Sequence, residues 1–106
     1  MDRITIHFAN AGQEYIFGGL KAAVARALVE HPTRNWTTLE MVAHLREHGF
    51  IYATPSVVSP RLNELRVLGI ACQGEQKRPC AINRKRKHVW RLADGAAPKI
   101  TVEVTR

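Results

Sequence analysis

Hydrophobic and polar positions alternate at the start of the chain: Ile4, Ile6 and Phe8 are separated by Thr5 and His7. That two-residue period predicts a half-buried strand. "NAGQ" at 10–13 supplies turn residues and "EYIF" at 14–17 a second short strand, so a β-hairpin is expected over residues 1–18. The period then changes. In "LKAAVARALVE", residues 20–30, Leu20, Val24, Ala27 and Leu28 share one helical face, and His31-Pro32 closes the segment.

A second helix is predicted over 37–49. Thr37 followed by Glu40 fits a capping box, Trp36 and Met41 have the spacing of a hydrophobic staple, and Gly49 is placed as the C-terminal stop. Leu39, Val42 and Leu45 form its expected core stripe. A third helix reads over 54–69, with Val58, Leu62, Leu65 and Leu68 facing inward. Pro60 leaves its start open between Thr54 and Ser59, because proline removes a donor inside a helix and suits the first turn. Two extended pieces follow at 70–75 and 88–92, the second offering Val89 and either Trp90 or Leu92 for packing. "KITVEVT" at 99–105 alternates Ile100, Val102 and Val104, and is expected to pair with 4–8.

This order predicts one α+β domain with three helices and a β-hairpin wing: a hairpin over 1–18, a core over 19–92, and a linker and strand over 93–106. The stretch "TPSVVSPRLNELRVLGIACQGEQKRPCAINRKRKHVWRL" from Thr54 to Leu92, with "VSPRLNEL", "LGI" and a basic loop closing on "VWRL", resembles the recognition helix and wing of small winged helix-turn-helix proteins of phages and mobile elements. The resemblance covers about a third of the chain and implies a winged helix-turn-helix fold. The hairpin 4–17 and the strand 99–105 are additions to that minimal unit, expected to seal the core or to join two copies as a homodimer.

Charge narrows the partner. The net charge is +7, and seven of the sixteen Lys and Arg lie between Lys77 and Arg91, where no acid stands. The remaining nine cations are matched by nine acids, so a balanced body carries one cationic arm. Lys77, Arg78, Arg84, Lys85, Arg86 and Lys87 are the expected phosphate contacts on the wing. With Val58, Leu62 and Leu65 inward, 100° per residue turns Ser56 and Asn63 outward, with Ser59 and Arg66 beside them and Arg61 on the other flank. Short hydrogen-bonding groups edged by arginine suit a major groove, where arginine reads guanine and asparagine adenine. Thr37 and Thr38 open the second helix, whose first N–H groups are the expected seat of a further phosphate.

Other chemistries are less well supplied. Cys72, Cys80 and His88 recur at seven-residue intervals, but three residues without paired CxxC spacing fall short of a structural zinc set, and free thiols are expected. His44 and His48 stand four apart with no third ligand nominated, and read as solvated helix residues. The two aspartates, Asp2 and Asp94, lie near chain ends or linkers, and no Gly-rich phosphate loop is present. No enzyme and no cofactor are expected. No apolar run reaches the length of a membrane span and no signal-peptide core opens the chain, which predicts a cytoplasmic protein. The reading is therefore a duplex DNA-binding protein, a small transcriptional regulator or phage accessory factor. A protein-docking module using the same wing is its rival. RNA is disfavoured because the basic segment lacks interleaved aromatics.

Overall fold

Backbone geometry at the first turn explains the opening hairpin. β1 (Arg3–Asn10) and β2 (Gln13–Gly18) are joined by Ala11 and Gly12, both at positive φ (52° and 79°). Such two-residue turns match the natural twist of antiparallel strands, and glycine meets the demand without strain. The computed structural model describes residues 3–105, apart from the side chains of residues 75 and 76; Asp2 lies outside the described residues. Ile4, Ile6 and Phe8 face the core. On its other side β1 pairs antiparallel with the last strand, setting Phe8 opposite Ile100 and Ile6 opposite Val102, as the alternation of both segments predicts.

One of the three helices packs on this sheet, and the other two pack against that helix and each other. α1 (Gly19–Glu30) buries Ala22, Ala23, Val24, Ala25, Ala27 and Leu28. Its small residues let α3, β1 and β2 approach closely. α2 (Thr38–Glu47) starts with the capping box expected of Thr37 and Glu40: Thr37 Oγ1 accepts from the Glu40 N–H and Glu40 accepts from the Thr37 N–H. Met41, Val42 and Leu45 are buried, whereas Leu39 is half-buried and turned to a surface groove described below.

α3 (Pro55–Leu68) takes the earlier of the two starts that Pro60 leaves open. Thr54 is the N-cap and Pro55 fills the first helical position, so Pro60 stands inside the helix. Ser56, whose carbonyl would have met the missing Pro60 N–H, and Pro60 itself are both exposed, so water can take the place of the lost bond. Val58, Leu62 and Leu65 are wholly buried; Leu68 is half-buried. Gly69 ends the helix in the left-handed region at φ 93°, which lets the Ile70 N–H return to the Leu65 carbonyl at 2.9 Å.

β3 (Ala71–Pro79) and β4 (Arg86–Leu92) form a second antiparallel sheet, with an irregular register between Gln73 and Lys77. β3 runs four residues beyond the expected extended piece, so the basic segment begins and ends in strand and residues 80–85 make the turn between. Val89, Trp90 and Leu92 are all buried, where the sequence pattern offered alternatives at 90 and 92. Trp36 accounts for part of this. It forms a bridge with Trp90 through two backbone hydrogen bonds (Trp36 N–H to Trp90 O, 2.7 Å; Trp90 N–H to Trp36 O, 2.6 Å). A short 3-10 turn, Ala97–Lys99, leads into β5 (Ile100–Thr105), which completes the first sheet in the order β2-β1-β5. The molecule is thus an α+β fold of three helices and two small antiparallel sheets. Among the described residues no helix is long and apolar enough to cross a membrane.

Candidate functional site

α3 and the β3–β4 sheet stand on either side of a groove of about 460 Å³. Ser59 and Asn63 enter it from α3, Thr38 and Leu39 from the start of α2, and Lys87 and Trp90 from β4. Helical spacing explains the α3 contribution, since residues four apart lie on one face. Leu39 and Trp90 give the groove an apolar floor. Gln73 and His88 also line it; His88 was weighed in the sequence only as a metal ligand, and Gln73 was not singled out because an isolated polar residue on a strand carries no motif.

The predicted α3 residues separate into two groups. Ser56, Asn63 and Arg66 are exposed and Ser59 half-buried. The Asn63 amide donates to the Ser59 carbonyl at 3.1 Å, so reading a base edge means exchanging that bond. Arg61 is directed elsewhere: its guanidinium pairs with Glu64 at 3.0 Å, and Glu64 also meets Lys21 of α1 at 3.9 Å. The buried Arg61 Nε has no hydrogen-bond partner among the described residues. Arg61 therefore pairs along its own helix and does not line the groove.

The cations expected on a wing divide in the same way. Lys77, Arg84, Lys85, Arg86 and Lys87 are exposed and have no acidic partner within 4 Å among the described residues. Arg86 also donates to the Lys77 carbonyl at 2.9 Å, which steadies the ends of the two strands. The turn itself is ordered. Arg84 adopts φ 59°, its N–H donates to the Cys80 carbonyl at 2.8 Å, and Asn83 accepts from the Lys85 N–H at 3.1 Å. Asparagine one residue before a left-handed position is the signal for such a turn.

Arg78 departs from the expectation. Its guanidinium grips Glu40 with both terminal nitrogens and also donates to the carbonyls of Asn35 (2.5 Å) and Pro79 (2.8 Å). Glu40, only 5% exposed, accepts from Arg78, from the Ala81 N–H at 2.8 Å and from the Thr37 N–H at 3.1 Å. Burial alone would raise this carboxyl, but the hydrogen bonds from Arg78, Ala81 and Thr37, with the Arg78 charge, bring it down to about 2. The same contact raises Arg78 above its ordinary value. So Arg78 is internal structure and not a phosphate hand. The capping-box spacing revealed Glu40 as a cap, but nothing local could reveal a partner 38 residues away.

Thr37 is likewise removed from the surface. It is fully buried, its hydroxyl caps α2, and it lies 3.0 Å from the Cys80 Sγ. Burial raises the Cys80 thiol, yet bonds from the Thr37 hydroxyl and from the Asn83 and Ile82 N–H groups outweigh it and lower the thiol below its ordinary value. The capping box occupies the Thr37 and Glu40 N–H groups, so Thr38 and Leu39 remain as the N–H groups of the first turn that it does not engage. Thr38, half-buried, borders the groove.

Outside the groove, His44 corrects the expectation of a solvated residue. It is half-buried and stacked on His48 (ring centroids 4.2 Å apart), with the Trp36 ring at 5.0 Å and His31 at 5.7 Å. Burial, then the neighbouring His48, His31 and Arg34, lower its pKa from 6.5, with Glu30 opposing. Among the described residues no group of three or more His, Cys, Asp or Glu is arranged to hold a metal ion. Compared with known proteins, the chain matches no family model, no curated protein and no solved structure.

Proposed function

We propose that this chain is a winged helix-turn-helix protein that binds duplex DNA, with α3 in the major groove and the wing along the backbone. The observation that carries the reading is the placement of Ser59 and Asn63 beside Lys87 on one groove, continuous with the exposed cations Arg84, Lys85 and Arg86. Polar side chains on a helix meet base edges, and a one-signed cluster beside them neutralises phosphates. The helix order, the wing after α3 and the Trp36–Trp90 bridge at the wing root support the winged-helix assignment. A regulator or accessory role follows from binding without catalytic chemistry.

Ser56, Ser59, Asn63 and Arg66 are the candidate base-reading set, and Lys77, Arg84, Lys85, Arg86 and Lys87 the phosphate set. Specific sites are commonly read by two-fold dimers. β5, an edge of the first sheet with Val104 43% exposed, is the strand we assign to pairing two copies. Selection from a random duplex library at near-physiological salt tests the whole reading. An enriched motif supports it, with two-fold symmetry supporting the dimer. Failure to retain DNA would overturn it in favour of a protein-docking module, for which the exposed Ile51 and Tyr52 between α2 and α3 are the surface.

A further inference from the structure

We infer that Glu40 is the positioning residue of the wing, fixing the turn 80–85 against the start of α2 and thereby setting how far the exposed cations stand from α3. The inference deepens the proposed function and rests on it only for its consequences on DNA. A capping-box glutamate has to satisfy one backbone N–H of its own helix. Here Oε1 does so at Thr37 and also takes Arg78, while Oε2 takes Arg78 Nη1 at 3.0 Å and the Ala81 N–H at 2.8 Å.

Both oxygens are thereby committed to named donors in α2, at the end of β3 and in the turn. Arg78 extends the same network to the α1–α2 connection through the Asn35 carbonyl. Sliding the wing by one residue would break the Ala81 bond and both bonds from Arg78. Strand pairing sets the register of β3 against β4 on either side of the irregularity between Gln73 and Lys77, and the Glu40 contacts are what tie the end of β3 and the turn to α2. Thr37 and Cys80, side by side at 3.0 Å, close the contact on its inner side. Catalytic use of the carboxylate is not compatible with this saturation, since no lone pair is directed to an open position.

Two consequences separate positioning from simple support of the fold. Glu40 neutralises Arg78, so the intact protein offers DNA five wing cations. Replacing Glu40 by the isosteric, uncharged glutamine releases Arg78 as a sixth. A looser wing holding an extra cation grips phosphates better and registers α3 less well.

The test begins without DNA, by amide hydrogen exchange on the wild type, Glu40→Gln and Arg78→Gln. Exchange at the Ala81 N–H should quicken by about tenfold or more in Glu40→Gln, the scale of one charge-assisted hydrogen bond lost, and by less in Arg78→Gln, which leaves the Ala81 bond to Glu40 in place but removes that carboxylate's anchor. Amides in α1 should stay protected. Should Glu40→Gln fail to fold, Arg78→Gln carries the measurement, since its side chain is 37% exposed. Unchanged Ala81 exchange in the folded variants would overturn the inference, whatever the protein binds. With duplex DNA, Glu40→Gln should steepen the dependence of log K on log salt by about 0.9 while narrowing the gap between preferred and random sequence. An unaltered gap would overturn the positioning role. A wild type that binds no duplex, while both variants loosen Ala81, would end the DNA reading and support the clasp alone.

Discussion

Arg78 and Arg84 stand six residues apart in one basic run, yet the fold puts them to opposite uses. Arg78 is spent inside the protein on Glu40, Asn35 and Pro79, whereas Arg84 sits in the turn with its side chain exposed and no acidic partner among the described residues. The difference lies in what the opposite surface supplies. Arg78 meets a carboxylate already desolvated by its helix, where a bidentate pair is strong. Charge density along a sequence therefore overstates the charge that a partner can feel, and the overstatement is set by tertiary contacts.

The largest break in this comparison should come from Glu40→Ala. A carboxyl lowered from 4.5 to about 2 corresponds to roughly 3 kcal/mol of stability at neutral pH. Urea unfolding should show a loss of that order, against under about 0.5 kcal/mol for Arg84→Ala. The sign is set by the depressed carboxyl: its contribution is complete above pH 4.5 and fades as the pH falls towards 2. Next, Asn63→Ala should cost about 1–3 kcal/mol at one base position while leaving the salt dependence alone. Binding to a panel of single-base variants of a selected site would detect this.

Neutralising the outward pair, Arg84→Gln with Arg86→Gln, should weaken all duplexes alike and flatten the salt slope by roughly 1.8, whereas Arg78→Gln should not flatten it at all. Titrations at several salt concentrations separate the two. The smallest effect concerns His44. Because its folded pKa is below 6.5, the unfolded chain binds more protons in the window beneath that value, and stability should decline as pH falls through it. Thermal melts between pH 8 and 5 should show that decline in the wild type and a weaker one in His44→Phe.

Local chemistry made much of this fold readable. Thr37 with Glu40 fixed the start of α2, Gly69 the end of α3, and the alternation at Ile4–Phe8 and Ile100–Val104 the two strands and their inward faces, though alternation alone does not say which strands pair. Pro60 was ambiguous because its tolerance depends on whether the Ser56 carbonyl meets water, a tertiary fact. The candidate site was readable where a side chain acts through exposure, as at Asn63 and Lys87. It was hidden where a distant group decides, as for Arg78 and the buried Thr37. His44 belongs with these, because its environment comes from Trp36 and His31 on another segment.

The order β2-β1-β5 also has a meaning in time. β1 lies among the first residues of this sequence to leave the ribosome and β5 among the last, yet the two are neighbours in one sheet. Until Ile100–Thr105 has been synthesised, β1 keeps an open edge and Ile6 and Phe8 lack part of their cover. The helices and the β3–β4 hairpin all precede β5 in the chain, so the first sheet closes only after every one of them has been made.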